Sequence, residues 1–172
     1  MIRQLAILSV CICLVQASAY AQNCEIERLG VYLTDPDTSG TNIRQSPGGA
    51  ILSVVKNDPS PMVELYVMFE VCKMEGNWLL VKTTNNPEEV EGWIHNSVVS
   101  TTLAAYSTPI KIYEKPSEAS KIIDRAKMEQ RVKVLASKGF FSKIEYLDNE
   151  RKLKRGYVKN QSLCGSAYTT CN

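Results

Sequence analysis

The sequence is poor in the residues that chemistry most often requires. It holds a single histidine, His95, in 172 residues, and its 20 basic and 18 acidic side chains nearly cancel, leaving a formal net charge of +2. Phosphate-backbone binding needs a concentrated basic field, so this balance excludes a nucleic-acid partner. The densest positive stretch, Arg151-Lys152-Leu153-Lys154-Arg155, follows Asp148 and Glu150 and reads as a solvated hairpin tip. No C-x-x-C pair occurs and His95 is remote in sequence from the cysteines, so no zinc motif is present. Phosphate-cradling glycine loops and triad signatures are missing as well. A cysteine hydrolase would need a thiolate, a histidine and an orienting group, and here only His95, at the end of a predicted strand, could be the base. Glu88, Glu89 and Glu91 cluster beside Pro87 as a solvated loop, with nothing to set one pKa above another. No catalytic residue, cofactor or metal is expected.

What is present begins with an export signal. Arg3 precedes an apolar run, Leu5 to Val15, interrupted only by Ser9 and followed by the small-x-small triplets Ala17-Ser18-Ala19 and Ala19-Tyr20-Ala21. Eleven apolar positions are too few for a bilayer, which takes about 20. The reading is a signal peptide over 1–21, cleavage after Ala21, a periplasmic or secreted product and no membrane span after cleavage. Loss of Arg3 lowers the net charge to +1. Cys24 follows Ala21-Gln22-Asn23, which lacks the small residue a lipidation signal places before its cysteine. Cys24, Cys72, Cys164 and Cys171 remain, an even number in an oxidising compartment, so disulfides are expected. Of three possible pairings, the preferred ones are Cys24 with Cys72, tying the mature N-terminus to a strand, and Cys164 with Cys171, closing a short C-terminal loop.

Strand signals dominate. Met62 to Met74, Trp78 to Thr84, Val90 to His95, Ile110 to Tyr113, Arg131 to Ser137, Phe140 to Leu147 and Arg155 to Lys159 are β-branched or aromatic and are bounded by Gly, Asn, Asp or Pro. The best helical candidate, Glu118 to Glu129, has a ragged apolar pattern without a capping box, and a turn leading into a strand is an equal reading. An internal repeat organises these segments. Thr41-Asn42-Ile43-Arg44-Gln45-Ser46-Pro47, Gly76-Asn77-Trp78-Leu79-Leu80-Val81 and Gly92-Trp93-Ile94-His95-Asn96-Ser97-Val98-Val99 recur in order as Ile110-Lys111-Ile112-Tyr113-Glu114-Lys115-Pro116, Gly139-Phe140-Phe141-Ser142-Lys143-Ile144 and Gly156-Tyr157-Val158-Lys159-Asn160-Gln161-Ser162-Leu163. The two closing glycines are 64 positions apart. The expected plan is therefore all-β, with a first unit over 22–100 carrying enlarged loops, a second over 104–163, a C-terminal tail over 164–172, and a seam near Ser100 to Tyr106 where small and polar residues interrupt the strand pattern. A unit of about 60 residues buries only about 60% of its unfolded surface, so large aromatics have a packing role first.

The order Asn-Ile-Arg-x-x-Pro, Asn-Trp-Leu-x-Val and Gly-Trp-Ile-His, preceded by Asp35-Pro36-Asp37, resembles the bacterial SH3 domain over about residues 27 to 100 and, less closely, over about 104 to 163. The second copy departs from it with Ile112-Tyr113 in place of Ile43-Arg44 and with Phe141 in place of Trp78. Asn57 to Pro61 and Asn85 to Glu91 lengthen two loops of the first copy. The resemblance implies two small SH3-like barrels in tandem, and in exported bacterial proteins such a barrel serves as a cell-wall targeting or recognition module, not as a catalyst. Expected ligand-binding residues are Tyr32, Asn42, Arg44, Tyr66, Trp78 and Trp93 in the first copy and Tyr113, Phe141 and Tyr157 in the second. Core packing accounts equally well for Trp93 and Tyr157, while Arg44 should pair with Asp35, with Asp37 or with a ligand carboxylate. The expected partner is a cell-wall peptide or glycan, or alternatively an envelope protein gripped by the enlarged loops.

Overall fold

The computed structural model describes residues 24–57, 66–85, 88–104 and 109–166. The signal segment 1–21, the loop residues 58–65, the seam residues 105–108 and Cys171 lie outside the described residues. Alternation of apolar and polar side chains produces strands with one buried face. In Trp78–Thr83 every second residue, Leu79, Val81 and Thr83, is buried, and in Phe141–Leu147 the same holds for Ser142, Ile144 and Tyr146. Among the described residues the strands are β1 (Leu29–Leu33), β2 (Thr41–Arg44), β3 (Ile51–Val55), β4 (Met68–Glu75), β5 (Trp78–Thr83), β6 (Glu91–His95), β7 (Val99–Leu103), β8 (Ile110–Tyr113), β9 (Ile122–Ala126), β10 (Arg131–Lys138), β11 (Phe141–Leu147), β12 (Leu153–Lys159) and β13 (Leu163–Cys164). The chain is all-β, with one antiparallel sheet in the order β3-β2-β6-β5-β4-β1-β7-β10-β11-β12-β8-β9 and β13 alongside β7. Within the ambiguous segment Glu118 to Glu129 the chain makes a turn and then β9, not a helix. No helix among the described residues is long and apolar enough to cross a membrane.

The sequence repeat returns as a repeat of pairing. β2 pairs β3 and β6, β4 pairs β5, and β5 pairs β6; β8 pairs β9 and β12, β10 pairs β11, and β11 pairs β12. Irregularities recur too. The register shifts between Ile43 and Arg44 and again between Ile112 and Tyr113, and between Val71 and Lys73 and again between Val134 and Ala136. Both tight hairpins carry a positive-φ glycine at the first turn position, Gly76 at 57° and Gly139 at 55°, where a two-residue turn that follows the strand twist demands one. The closing glycines serve a different need. A Cβ at Gly92 would lie 2.6 Å from Ile43 Cγ2, and one at Gly156 would lie 2.2 Å from Ile112 Cγ2, so each lets its strand cross tightly over the isoleucine at the equivalent place in its half.

The seam is a difference from expectation. Val99-Ser100-Thr101-Thr102-Leu103 forms strand β7, which pairs β1 at Val99 and Ser100, β10 at Thr101 and Thr102, and β13 at Thr102 and Leu103. Its small polar residues do not interrupt the strand because they are satisfied internally: Thr101 Oγ1 donates to the Cys164 carbonyl at 2.9 Å. One strand thus closes the first half and opens the second. The apolar residues of both halves, from Ile43, Leu79 and Ile94 to Ile112, Ile144 and Val158, belong to one contiguous core cluster. Gly30 and Gly165 meet backbone to backbone, since a Cβ on Gly30 would lie 2.9 Å from Gly165 Cα.

The N-terminal segment ties the halves together a second time. Cys24 and Cys72 form a disulfide, and the Glu25 and Ile26 amides both donate to the Cys72 carbonyl at 3.0 Å. On its other side the segment meets the β10–β11 turn. Gly139 N–H donates to Glu25 O at 2.8 Å, Glu27 N–H donates to Gly139 O at 2.9 Å, and the buried Asn160 side chain donates to the carbonyls of Glu27 and Gly139. The expected partner of Cys164, Cys171, lies outside the described residues.

Candidate functional site

Strand alternation turns one residue in two away from the core, and at repeat-equivalent positions these residues, half-buried except for Tyr113 at 5% exposure, form two rows. In the first half Asn42 and Arg44 share the outward side of β2, Arg44 stands opposite Trp93, and Trp93 stands opposite Leu80. Trp78 stands opposite His95, and their rings meet edge to face at 5.1 Å. In the second half Tyr113 stands opposite Tyr157, and Tyr157 opposite Lys143, whose ammonium lies 6.0 Å from the Tyr157 ring centroid. Phe141 stands opposite Lys159 and meets the buried Tyr113 edge-on at 6.0 Å. Seven of the nine expected binding residues thus fall on these two rows. The rows present aromatic faces and edges, surfaces suited to stacking against a sugar ring or a peptide plane.

Tyr32 and Tyr66 lie elsewhere. Tyr32 is 1% exposed at the junction of the halves; its hydroxyl lies 3.2 Å from Thr102 Oγ1 and accepts from Arg131 Nε at 3.2 Å, with the guanidinium 5.8 Å from the ring centroid. Tyr66 packs edge-on against it at 5.5 Å. Arg44 differs from expectation in its partner, since Nη1 donates to the Gly49 carbonyl at 2.7 Å and so pins the turn after β2. The aspartates brace their own loop instead. Thr41 Oγ1 donates to Asp35 at 2.5 Å, and Ser39 N–H donates to Asp37 at 2.8 Å; hydrogen bonds from Ser39 hold the Asp37 carboxyl below its ordinary value.

The second row borders a groove of two adjoining cavities that share Glu118, Lys159 and Gln161. The first, of about 270 Å³, is also lined by Glu27, Arg28, Phe140, Phe141 and Asn160. The second, of about 240 Å³, is also lined by Pro109, Ile110, Lys111, Tyr113 and Ser162. Lys159 Nζ and Glu118 Oε1 form an ion pair of 2.6 Å at their shared wall. Sequence reasoning missed Glu27, Arg28, Glu118, Phe140 and Lys159. One signal was available: the repeat aligns Phe140 with Asn77, an aromatic in place of a polar turn residue, and Phe140 is 60% exposed.

Groups with catalytic potential are engaged otherwise. His95 ends β6, its Nδ1 lying 2.7 Å from Ser97 Oγ and accepting the Ser97 amide at 3.3 Å. Cys24 and Cys72 are consumed by their bond. Among the described residues no three His, Cys, Asp or Glu side chains converge as metal ligands. The basic run 151–155 lies on the β11–β12 hairpin with three of its four charges paired: Lys152 to Glu150 at 2.6 Å, Lys154 to Asp148 at 2.9 Å and Arg155 to Glu145 at 2.8 Å.

No protein-family model matches the chain, and no curated protein matches it. Among solved structures it is similar to NlpC1 from Trichomonas vaginalis, at 17% identity over 90% of this chain and 50% of that one, with a TM-score of 0.29. It is also similar to NlpC2 from Trichomonas vaginalis, at 20% identity over 78% of this chain and 47% of that one, with a TM-score of 0.30. The chain spans about half the length of these structures.

Proposed function

We propose that this chain is an exported, non-catalytic binding protein made of two SH3-like barrels in tandem, over 22–100 and 104–163, that recognises a cell-wall peptide or glycan in the bacterial envelope. The observation that carries this reading is the recurrence of outward aromatic rows at equivalent positions of the two halves, the second of them bordering a groove with a charged bridge. Stacking surfaces beside a few fixed polar groups are what carbohydrate and peptide sites use. The disulfide supports an oxidising destination. The engagement of His95 and of the Cys24 and Cys72 thiols supports a binding role without turnover.

A second reading, a protein-interaction, inhibitor or immunity-type role on a partner enzyme, draws on the sheet ends. β3, at one end of the strand order, exposes Ile51, Leu52 and Val54 by 53%, 56% and 50%, and exposed apolar edges invite another chain. Co-sedimentation of residues 22–172 with purified peptidoglycan sacculi, alongside an Arg44→Ala, Trp78→Ala variant, separates the two. Pelleting that the variant loses is expected of a cell-wall reader. A protein that stays in the supernatant, yet retrieves a defined enzyme in a pull-down, removes the wall reading in favour of the second.

A further inference from the structure

The larger groove cavity exists because the N-terminal segment crosses the second hairpin. At the second turn, residues 25–27 are hydrogen-bonded to Gly139 and Asn160, and they bring Glu27 and Arg28 to a cavity otherwise built by Phe140, Phe141 and the Lys159–Glu118 pair. Arg28 is held at φ 56°, a left-handed conformation uncommon for a non-glycine residue. It also lines a neighbouring cavity with Leu29, Gly30 and Gly165.

The charges of this cavity are unequally committed. Lys159 and Glu118 neutralise each other at 2.6 Å, and the amide of Asn160 is spent on Glu27 O, Gly139 O and the Ser142 hydroxyl. The side chains of Glu27 and Arg28 make no hydrogen bond or ion pair among the described residues. The cavity therefore offers one free carboxylate and one free guanidinium against an aromatic wall. Both groups are exposed, so a ligand of single charge would engage one of them and leave the other to water. A ligand carrying both a carboxylate and an ammonium satisfies both, the carboxylate on the fork of Arg28 and the ammonium on Glu27. At about 270 Å³ the space is at the small end of ligand sites, which run from about 300 Å³ upward, and so suits an amino acid or a short peptide.

We propose that this cavity is a subsite for a zwitterionic amino acid or short peptide, with Arg28 receiving the carboxylate, Glu27 the ammonium, and Phe140 and Phe141 the apolar stem. This rests on the second-half groove being a binding site, though not on its ligand coming from the cell wall.

The test is calorimetric titration of the oxidised protein with the dipeptide alanyl-leucine in four forms: free, N-acetylated, C-amidated and blocked at both ends. The free form should bind tightest, and blocking either end should weaken binding about tenfold, the effect of one lost charge-assisted contact. Arg28→Gly, which adopts positive φ without strain, should abolish the preference for the free carboxylate, and Arg28→Lys should keep part of it. Glu27→Gln should abolish the preference for the free ammonium, while Phe140→Ala weakens all four forms alike. Equal binding of the four forms, no binding of the free dipeptide at millimolar concentration, or an unchanged preference in Arg28→Gly would overturn the proposal. Sacculus pelleting measured in parallel keeps the two readings apart. Dipeptide discrimination without pelleting upholds the subsite and removes the wall reading, whereas pelleting with a flat dipeptide panel does the reverse.

Discussion

The Cys24–Cys72 bond closes a loop of 48 positions, and removing it tests how the halves are held. In the chain-entropy description, cross-linking a loop of that length denies the unfolded chain about 4 kcal/mol of conformational freedom at 25 °C. A Cys24→Ser, Cys72→Ala pair removes this bond and leaves Cys164 and Cys171 as they are. For a chain of this size each kcal/mol moves the melting midpoint by roughly 2–4 °C, so a fall of about 8–16 °C is expected. Urea denaturation should show the same loss of about 4 kcal/mol with a steeper m-value, because the uncrosslinked chain exposes more surface when unfolded. Native-state hydrogen exchange then separates the unfolded-state effect from damage to the fold. The Gly139 amide donates to Glu25 and the Glu27 amide donates to Gly139, so both should keep protection up to the reduced global stability. A loss below about 1 kcal/mol with an unchanged m-value would refute the loop-entropy reasoning. Selective loss of protection at those two amides would show that the disulfide, and not the hydrogen bonds, seats the segment.

Two further outcomes follow from the geometry. Gly92→Ala and Gly156→Ala should each destabilise the protein by about 1–3 kcal/mol through overpacking against Ile43 and Ile112, measured by urea midpoint; a neutral effect at either would deny that the repeat depends on this close crossing. Hydrogen bonds from Lys154, and then from the Lys152 and Glu150 amides, lower the pKa of Asp148 below its ordinary 3.8. A depressed carboxylate contributes stability that is fully present above the unfolded value and is lost as pH falls through the folded one. Asp148→Asn should therefore destabilise at neutral pH and converge on the parent in melts well below pH 3.8; a pH-independent difference would mean that the hairpin tip draws nothing from this charge.

Much of the strand layout was readable in order and type, because a half-buried strand writes its alternation directly into the sequence, as in Trp78-Leu79-Leu80-Val81 and Phe141-Ser142-Lys143-Ile144. Glycines had to be glycines at 76, 92, 139 and 156 for local or pairwise steric reasons, so the repeat survived where side-chain identity did not. The Cys24–Cys72 pairing was one of three that the sequence allowed, and the structure selects it. The strand at the start of the seam read over Ser100 to Tyr106 was hidden because serine and threonine there look like linker until their hydroxyls find partners such as Cys164 O, some 60 residues away in sequence. The candidate site was legible in half. Arg44, Trp78 and Trp93, with Tyr113, Phe141 and Tyr157, stood out by recurrence, whereas Tyr32 proved to be junction packing. Composition, periodicity and repetition by themselves determined an all-β chain with two repeating sets of strands, since those properties depend on neighbours along the strand. Only the tertiary structure decided that β7 serves both halves and that Glu27 and Arg28 line one cavity with Phe140 and Lys159, because such contacts join residues tens to more than 100 positions apart and leave no local periodicity to read.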